Sequence, residues 1–121
     1  MHAALLISHG SRSPKTKTEV ASLVKRLKSG SALKIFEYAF LEIGKPSIPE
    51  GITQCVERGA TQITILLNFL NSGRHVDEDI PKIIKKAKAK YPHVGFKITQ
   101  PIGQHPRIEE LFLDFLKKSR V

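Results

Sequence analysis

The chain has 121 residues, of which 40% are hydrophobic and 26% charged, and its formal net charge is +9. No apolar run approaches the ~20 residues that a membrane-spanning helix needs, so we expect one globular domain over residues 1–121. The single cysteine excludes an internal disulfide framework and a four-cysteine iron–sulfur site, and without a signal-like start the chain is expected in the cytoplasm.

Short apolar runs alternate with segments whose apolar residues recur at helical spacing. In chain order, this pattern predicts a strand over 3–8, a helix from Pro14 to Gly30, a strand over 34–41, a helix from Ile48 to Gly59, a strand over 62–70, a helix over about 75–90, a strand over 94–98 and a helix from Pro106. Such alternation indicates an α/β fold with a four-stranded parallel sheet flanked by helices. By analogy with other folds of this class, we expect the strand order 2-1-3-4.

Caps and apolar stripes support the predicted helices. Ser13 precedes Pro14 at the start of the first helix, and Ser47 with Glu50 makes a capping box before the second. Cys55 lies on the apolar stripe of the second helix, where its simplest role is that of a small core residue. The last helix also carries an apolar stripe, which we expect to be buried. Its members are Ile108, Leu111, Phe112, Phe115 and Leu116.

Polar residues follow each predicted strand. His9 comes after the first strand, Glu42 after the second, and His75 after the third strand and its loop. Because ligands bind beyond the carboxyl ends of parallel strands, these three side chains are expected to meet at one edge of the sheet. Two imidazoles and a carboxylate suit a divalent transition metal and proton uptake near pH 7. His105, after the fourth strand, lies at the same edge but also resembles a helix cap.

These residues also have simpler interpretations. A histidine at the end of a strand can be an ordinary polar residue facing water, and Glu42 can pair with Lys45 at the surface. Gly10 and Gly73 adjoin the two histidines and would permit close approach of a large ligand, which favours a site. His93 is expected at the opposite edge of the sheet, without a catalytic role.

The positive charge favours an anionic partner. Much of it comes from lysines in the segment 82–90, whose simplest interpretation is the solvated face of a helix. A nucleic-acid-binding surface is the alternative, but no aromatic residues interleave these lysines for base stacking.

Four short motifs occur in order over nearly the whole chain. They are HGSR at 9–12, FLEIGKPSIP at 40–49, SGRHVDEDIP at 72–81 and PIGQHPRI at 101–108. Together they resemble the motifs of the small sirohydrochlorin chelatases, the short CbiX/SirB-like group of class II chelatases. HGSR alone is a weak signal, whereas four motifs with this order and spacing are a specific one.

The resemblance implies a single chelatase-like half-unit that inserts a divalent metal into sirohydrochlorin without ATP, as in cobalamin or siroheme biosynthesis. Cobalt is the favoured metal, nickel and iron are alternatives, and the metal is a substrate, with no tightly bound cofactor. The resemblance also implies that His9 and His75 bind the metal and accept pyrrole protons. Glu42 would be a third metal ligand or a proton relay.

Sirohydrochlorin is a polycarboxylate, which gives the positive charge a role other than nucleic-acid binding. By position and charge, Ser11, Arg12 and Arg74 are candidates for binding its carboxylates. Longer relatives contain two such units around a cleft, so the resemblance also predicts a homodimer. The histidine-rich insertion of some short archaeal members is absent between the third helix and the fourth strand.

Three other functions compete with this interpretation. A histidine phosphatase would need an arginine immediately before His9, where this chain has Ser8. A basic nucleic-acid-binding module would explain the charge but not the histidines. A non-catalytic tetrapyrrole or metal carrier would share the fold and the motifs without catalysing insertion. We expect neither nucleic acid nor a membrane among the partners.

Overall fold

Four apolar segments form one parallel sheet in the computed structural model, which describes residues 1–119. The strands are β1 (His2–Gly10), β2 (Ile35–Ile43), β3 (Gln62–Leu67) and β4 (Gly95–Pro101). Their order is β2-β1-β3-β4 and each neighbouring pair is parallel, which confirms the predicted sheet and strand order. The carboxyl ends of all four strands therefore lie at one edge.

A helix follows each strand, and the first three helices connect the strands and cover the sheet. They are α1 (Pro14–Ser29), α2 (Ile48–Glu57), α3 (Ile80–Lys90) and α4 (Ile108–Lys118), with a π-helical turn (His75–Asp79) before α3 and a 3-10 turn (Ile102–Gln104) before α4. The predicted capping box is present, because Ser47 Oγ accepts from the backbone N–H of Glu50 and the Glu50 carboxylate accepts from that of Ser47. These hydrogen bonds lower the pKa of Glu50.

The core has a layer on each side of the sheet. Alternate residues of β1, such as Leu5 and Ile7, pack with α2 and α3, while Leu6 faces α1. Cys55 is fully buried in the larger layer, as predicted, and desolvation raises its thiol pKa to about 12. Both faces of β1 are thus apolar, which accounts for its uninterrupted hydrophobic run.

The carboxyl ends of all four strands differ from the sequence prediction. β1 continues to Gly10 and β2 to Ile43, so His9 and Glu42 lie inside the strands and not after them. β3 ends at Leu67 and not at residue 70, and the side chain of the next residue, Asn68, donates a hydrogen bond to Ser8 Oγ at 3.0 Å. β4 continues to Pro101, which pairs with Leu67 after a register shift. An apolar run alone did not mark where pairing stops.

The predicted burial of the last apolar stripe is wrong. Four of its members, all in α4, are exposed over more than half of their surface. They are Leu111 (59%), Phe112 (59%), Phe115 (74%) and Leu116 (69%). The helix is amphipathic as predicted, but in this chain it packs mainly against the preceding 3-10 turn and not against the sheet.

The lysine-rich segment forms the outer face of α3. Its five lysines are exposed, while Ile84 and Ala87 on the opposite face are buried. This is the solvated helix face that the sequence predicted. Within residues 1–119, no helix has both the length and the apolar character needed to cross a membrane.

Gly10 joins β1 to the following loop with a backbone that only glycine adopts easily. Its φ is +106°, and a Cβ atom there would collide with the backbone carbonyl of Ile43 in β2. Gly59 has a similar φ of +100°, but no other atom lies within 4 Å of its Cβ position. The first glycine therefore allows close strand contact in addition to a left-handed turn.

We expect Gly10→Ala to lower the free energy of unfolding by about 3 kcal/mol, because strain and the collision with Ile43 add together. Gly59→Ala carries only the strain and should cost about 1 kcal/mol. Urea unfolding followed by circular dichroism measures both. Equal losses in the two variants would show that the contact with Ile43 adds nothing.

Candidate metal and active site

Three side chains from distant parts of the sequence meet at the carboxyl edge of the sheet. His9 is the last residue but one of β1, Glu42 is the last residue but one of β2, and His75 begins the π-helical turn after β3. One potential ligand atom from each lies within 4.8 Å of the others. The structure thus brings together the three residues that the sequence proposed as a metal-binding set.

The distances place Glu42 between the two histidines. Its Oε2 lies 3.0 Å from His9 Nε2, and its Oε1 lies 3.9 Å from His75 Nε2. The two imidazole rings are 5.2 Å apart between centroids and are tilted by 48°. A cation entering this group would meet two ring nitrogens and a carboxylate, which suits a borderline transition metal.

A β-bulge directs Glu42 toward His9. Ser8 pairs with Phe40, but Gly10 pairs with Ile43, so two residues of β2 lie opposite the single residue His9. With regular pairing, His9 would share its face with the residue before Glu42, and the carboxylate would point to the other face. The extra residue in β2 reverses that orientation, a common role of bulges beside active sites.

Asp79 holds the second histidine and was missed by the sequence analysis. His75 Nδ1 lies 2.8 Å from Asp79 Oδ2, across one wide turn of the π-helix. In the tautomer where Nδ1–H donates to this carboxylate, the Nε2 lone pair is free and points toward Glu42. The sequence signal was present, since Asp79 is four residues after His75, but α-helical spacing alone does not distinguish it from a surface carboxylate.

The site is open to solvent. The side chains of His9, Glu42 and His75 are exposed over 45%, 49% and 40% of their surface, and Asp79 over 38%. Ser8, the residue before His9, is buried, and its Oγ accepts a hydrogen bond from the half-buried side chain of Asn68. The exposure of the three side chains leaves room for a flat ligand.

The three candidate carboxylate-binding residues lie on the loops beside this group. Arg12 is exposed in the loop after β1, and Arg74 immediately precedes His75. The Arg74 side chain is 81% exposed and pairs loosely with Glu78 at 3.6 Å. Ser11 Oγ accepts from the Ser13 backbone N–H, so part of its role is to shape the turn into α1.

Other sequence-proposed features have different roles. His93 precedes β4 and therefore lies at the opposite edge, as predicted. His105 accepts a hydrogen bond from the Arg107 backbone N–H and so belongs to the turn into α4. The Ile43 backbone occupies the Cβ position of Gly10, whereas the Cβ position of Gly73 faces open space, and the close approach of a ligand beside these glycines stays a prediction.

Comparison with known proteins gives consistent matches. Residues 3–119 match the family model described as CbiX. The chain is 32% identical over its full length to the sirohydrochlorin ferrochelatase of Priestia megaterium, of which it spans 46%. It is 32% identical over 98% of its length to the sirohydrochlorin cobaltochelatase of Sulfolobus acidocaldarius, of which it spans 93%.

The fold has solved counterparts as well. The sirohydrochlorin chelatase SirB of Bacillus subtilis subspecies spizizenii, crystallised in complex with cobalt, superposes with a TM-score of 0.88 and 31% identity. The match covers 97% of this chain and 50% of SirB. The present chain therefore spans about half of SirB and less than half of the Priestia protein.

The geometry predicts that both histidines contribute to Co²⁺ affinity. We expect His9→Ala and His75→Ala each to raise the Kd by about 100-fold, and Glu42→Gln by about 10-fold, since the amide keeps an oxygen but loses the charge. His93→Ala removes an imidazole from the opposite edge and should leave the Kd unchanged. Isothermal titration calorimetry measures all four. If the His93 variant lost as much affinity as the others, the ions would be binding to histidines in general.

Proposed function

The chain belongs to the CbiX family, and from this membership we propose that it is a sirohydrochlorin chelatase. It inserts a divalent metal ion into the macrocycle at the edge formed by His9, Glu42 and His75. The observation that carries the proposal is the convergence of these three ligand groups within 4.8 Å at an exposed position. A flat tetrapyrrole can approach such an open group from above.

Metal insertion requires two proton acceptors. Two pyrrole N–H protons leave the ring as the metal replaces them, so sirohydrochlorin and M²⁺ yield metallosirohydrochlorin and two protons. No covalent intermediate and no ATP are needed for this exchange. The neutral imidazoles of His9 and His75 present the metal through Nε2 and accept protons as it departs into the ring.

Glu42 links the two imidazoles. Its carboxylate is within hydrogen-bond distance of His9 and 0.9 Å farther from His75. We assign it as the third metal ligand in the loaded state. After transfer, the same carboxylate accepts a hydrogen bond from a protonated imidazole and passes the proton to solvent, to which it is 49% exposed.

Asp79 acts as a positioning residue in this proposal. By accepting the hydrogen bond from His75 Nδ1–H, it selects the tautomer whose Nε2 can bind a metal, and it fixes the direction of the ring. Carboxylates behind metal-binding histidines commonly have this function, and their loss costs about 10–100-fold in affinity.

Arg12, Arg74 and Ser11 are proposed to bind the peripheral carboxylates of the macrocycle. All three are exposed on the loops next to the metal-binding group. Guanidinium groups bind carboxylates in a bidentate manner, which would orient the ring as well as attract it. The net charge of +9 would further favour encounter with a polyanion.

Cobalt is the proposed metal, with nickel and iron as alternatives. Imidazole and carboxylate ligands accept all three ions, and relatives of this chain carry both cobaltochelatase and ferrochelatase names. The product would serve cobalamin synthesis if cobalt enters and siroheme synthesis if iron enters.

We also propose a cytoplasmic location, since the chain has one cysteine and forms no internal disulfide.

We propose in addition that the protein works as a homodimer. The described residues form one sheet unit whose metal-binding group is exposed on its outer side. A second copy would supply the opposite wall of a cleft, so that the macrocycle is covered on both faces during insertion.

A direct assay tests the activity. Sirohydrochlorin is mixed with Co²⁺, Ni²⁺ or Fe²⁺, and the shift of its absorption bands is compared with the rate without protein. We expect wild-type acceleration for at least cobalt, about a 100-fold loss of kcat/KM in His75→Ala, and no loss in His93→Ala. Binding of metal and macrocycle without acceleration would indicate a carrier and contradict the proposed activity.

Asp79→Asn tests the positioning role because the amide is nearly isosteric but can also donate to Nδ1. We expect the Co²⁺ Kd to rise by about 10–100-fold, with an unchanged Tm. The ¹⁵N spectrum of His75 should shift toward the Nε2–H tautomer. Asp77→Asn, an exposed residue on the same turn, makes the same charge change and should have neither effect. An unchanged Co²⁺ Kd and an unchanged His75 tautomer in Asp79→Asn would show that Asp79 only fills space.

A further inference from the structure

A groove opens between α2 and α3, on the face of the sheet that these two helices cover. Its volume is about 290 Å³, near the lower end of the range for small-molecule sites. Each helix connects the carboxyl end of one strand to the start of the next, so both run from the carboxyl edge of the sheet toward its amino edge. The groove between them therefore extends away from the metal-binding group.

The end of the groove near the carboxyl edge is apolar. Pro49 and Ile52 line it from the first half of α2, and Ile83 lines it from the first turn of α3. Ile52 is also a fully buried member of the core, so this end of the groove adjoins the core directly. A hydrocarbon chain lying here would be removed from water by contact with apolar side chains.

The other end of the groove is cationic. Lys86 and Lys90 line it from one face of α3, one helical turn apart. Lys90 Nζ lies 5.4 Å from the centroid of the Tyr91 ring, within range of a cation–π contact. Within residues 1–119, no carboxylate lines the groove. An anion bound at this end would thus meet two ammonium groups without a competing acidic side chain in the wall.

Two hydroxyl groups join the helices at the cationic end. Thr53 Oγ1 in α2 lies 3.0 Å from the hydroxyl oxygen of Tyr91, the residue after α3. Only one hydroxyl hydrogen can lie between the two oxygens, so the other hydrogen is free to be donated to a third group. An oxygen-bearing anion would find this donor next to the two ammonium groups.

We propose that this groove binds an aliphatic monocarboxylate, with its chain between α2 and α3 and its carboxylate at Lys86, Lys90 and the hydroxyl pair. The polarity of the groove supports this class of ligand. A neutral hydrocarbon would leave the cationic end unpaired, and a polycarboxylate would bring charge into the apolar end. The inference depends on neither the chelatase activity nor the homodimer.

A ligand series tests both ends of the groove. Octanoate, octan-1-ol and octylammonium share a chain and differ in charge, and titration of ¹⁵N-labelled protein followed by ¹H–¹⁵N NMR gives each Kd. We expect octanoate to bind about 10-fold more tightly than octan-1-ol, and octylammonium to show no saturable binding. Hexanoate should bind about 10-fold more weakly than octanoate, because it buries two methylenes fewer.

Either of two equalities in this series would overturn the proposal. Equal Kd values for octanoate and octan-1-ol would show that the ammonium groups do not recognise the carboxylate. Equal Kd values for hexanoate and octanoate would show that the chain is not held by the apolar end.

The signals that shift locate the bound chain. Amide signals of Thr53, Ala87 and Tyr91 should shift together and saturate with one Kd, since all three residues line the groove. The exposed apolar face of α4 is the competing place for a hydrocarbon chain. If the three groove signals do not shift, including the case in which only α4 signals respond, the proposal is overturned.

Two charge-matched double variants of α3 separate local recognition from net charge. Lys86→Gln/Lys90→Gln removes the two lysines that line the groove, whereas Lys82→Gln/Lys85→Gln removes two exposed lysines that do not. We expect the first to raise the octanoate Kd about 10-fold and to leave the octan-1-ol Kd unchanged. The second should leave both unchanged. Equal weakening of octanoate binding in the two variants would overturn the proposal. Chelatase activity is assayed separately, so its loss would bear only on the proposed function.

Discussion

The register shift between β1 and β2 determines whether a carboxylate faces the two imidazoles. A parallel sheet aligns the ends of its strands, but the two-residue period of a strand sends neighbouring side chains to opposite faces. One extra residue opposite His9 changes the face on which Glu42 lies. Gly10 makes this possible, because the Ile43 carbonyl occupies the space that a Cβ would need. The chemistry of the site thus depends on a local backbone irregularity.

Much of the fold could be predicted from the sequence, because its elements have clear periodicities and caps. The positions of His9, Glu42 and His75 followed from their placement at or after strand ends, since parallel topology collects strand ends at one edge. The bulge at Glu42 could not be predicted, because the glycine that permits it, Gly10, also fits an ordinary turn after a strand. Asp79 was missed because its contact depends on a π-helical turn, which brings i and i+4 side chains together differently from an α-helix. The burial of α4 was predicted wrongly because an amphipathic pattern specifies an apolar face and not what covers it.

The net positive charge of the chain and the carboxylates of the site act over different distances. The chain as a whole carries +9, and the exposed lysines of α3 are part of that excess. Around His75, however, the carboxylates of Glu42 and Asp79 lie beside the imidazole. Since screening limits exposed charges to about 8 Å at physiological ionic strength, a cation at the site meets mainly these carboxylates. A large anion approaching the surface meets the surrounding positive charge, so one small surface can attract both a cation and an anionic ring.

The burial of Cys55 has a consequence for metal selectivity. Thiolates are the ligands that thiophilic ions such as Cu⁺ prefer, and this chain has one thiol, enclosed in the core with its pKa raised to about 12. Such ions therefore find no ionised sulfur on the protein surface and compete only for nitrogen and oxygen donors. For the proposed chelatase, the burial of this thiol keeps soft, toxic ions from binding to the protein through sulfur.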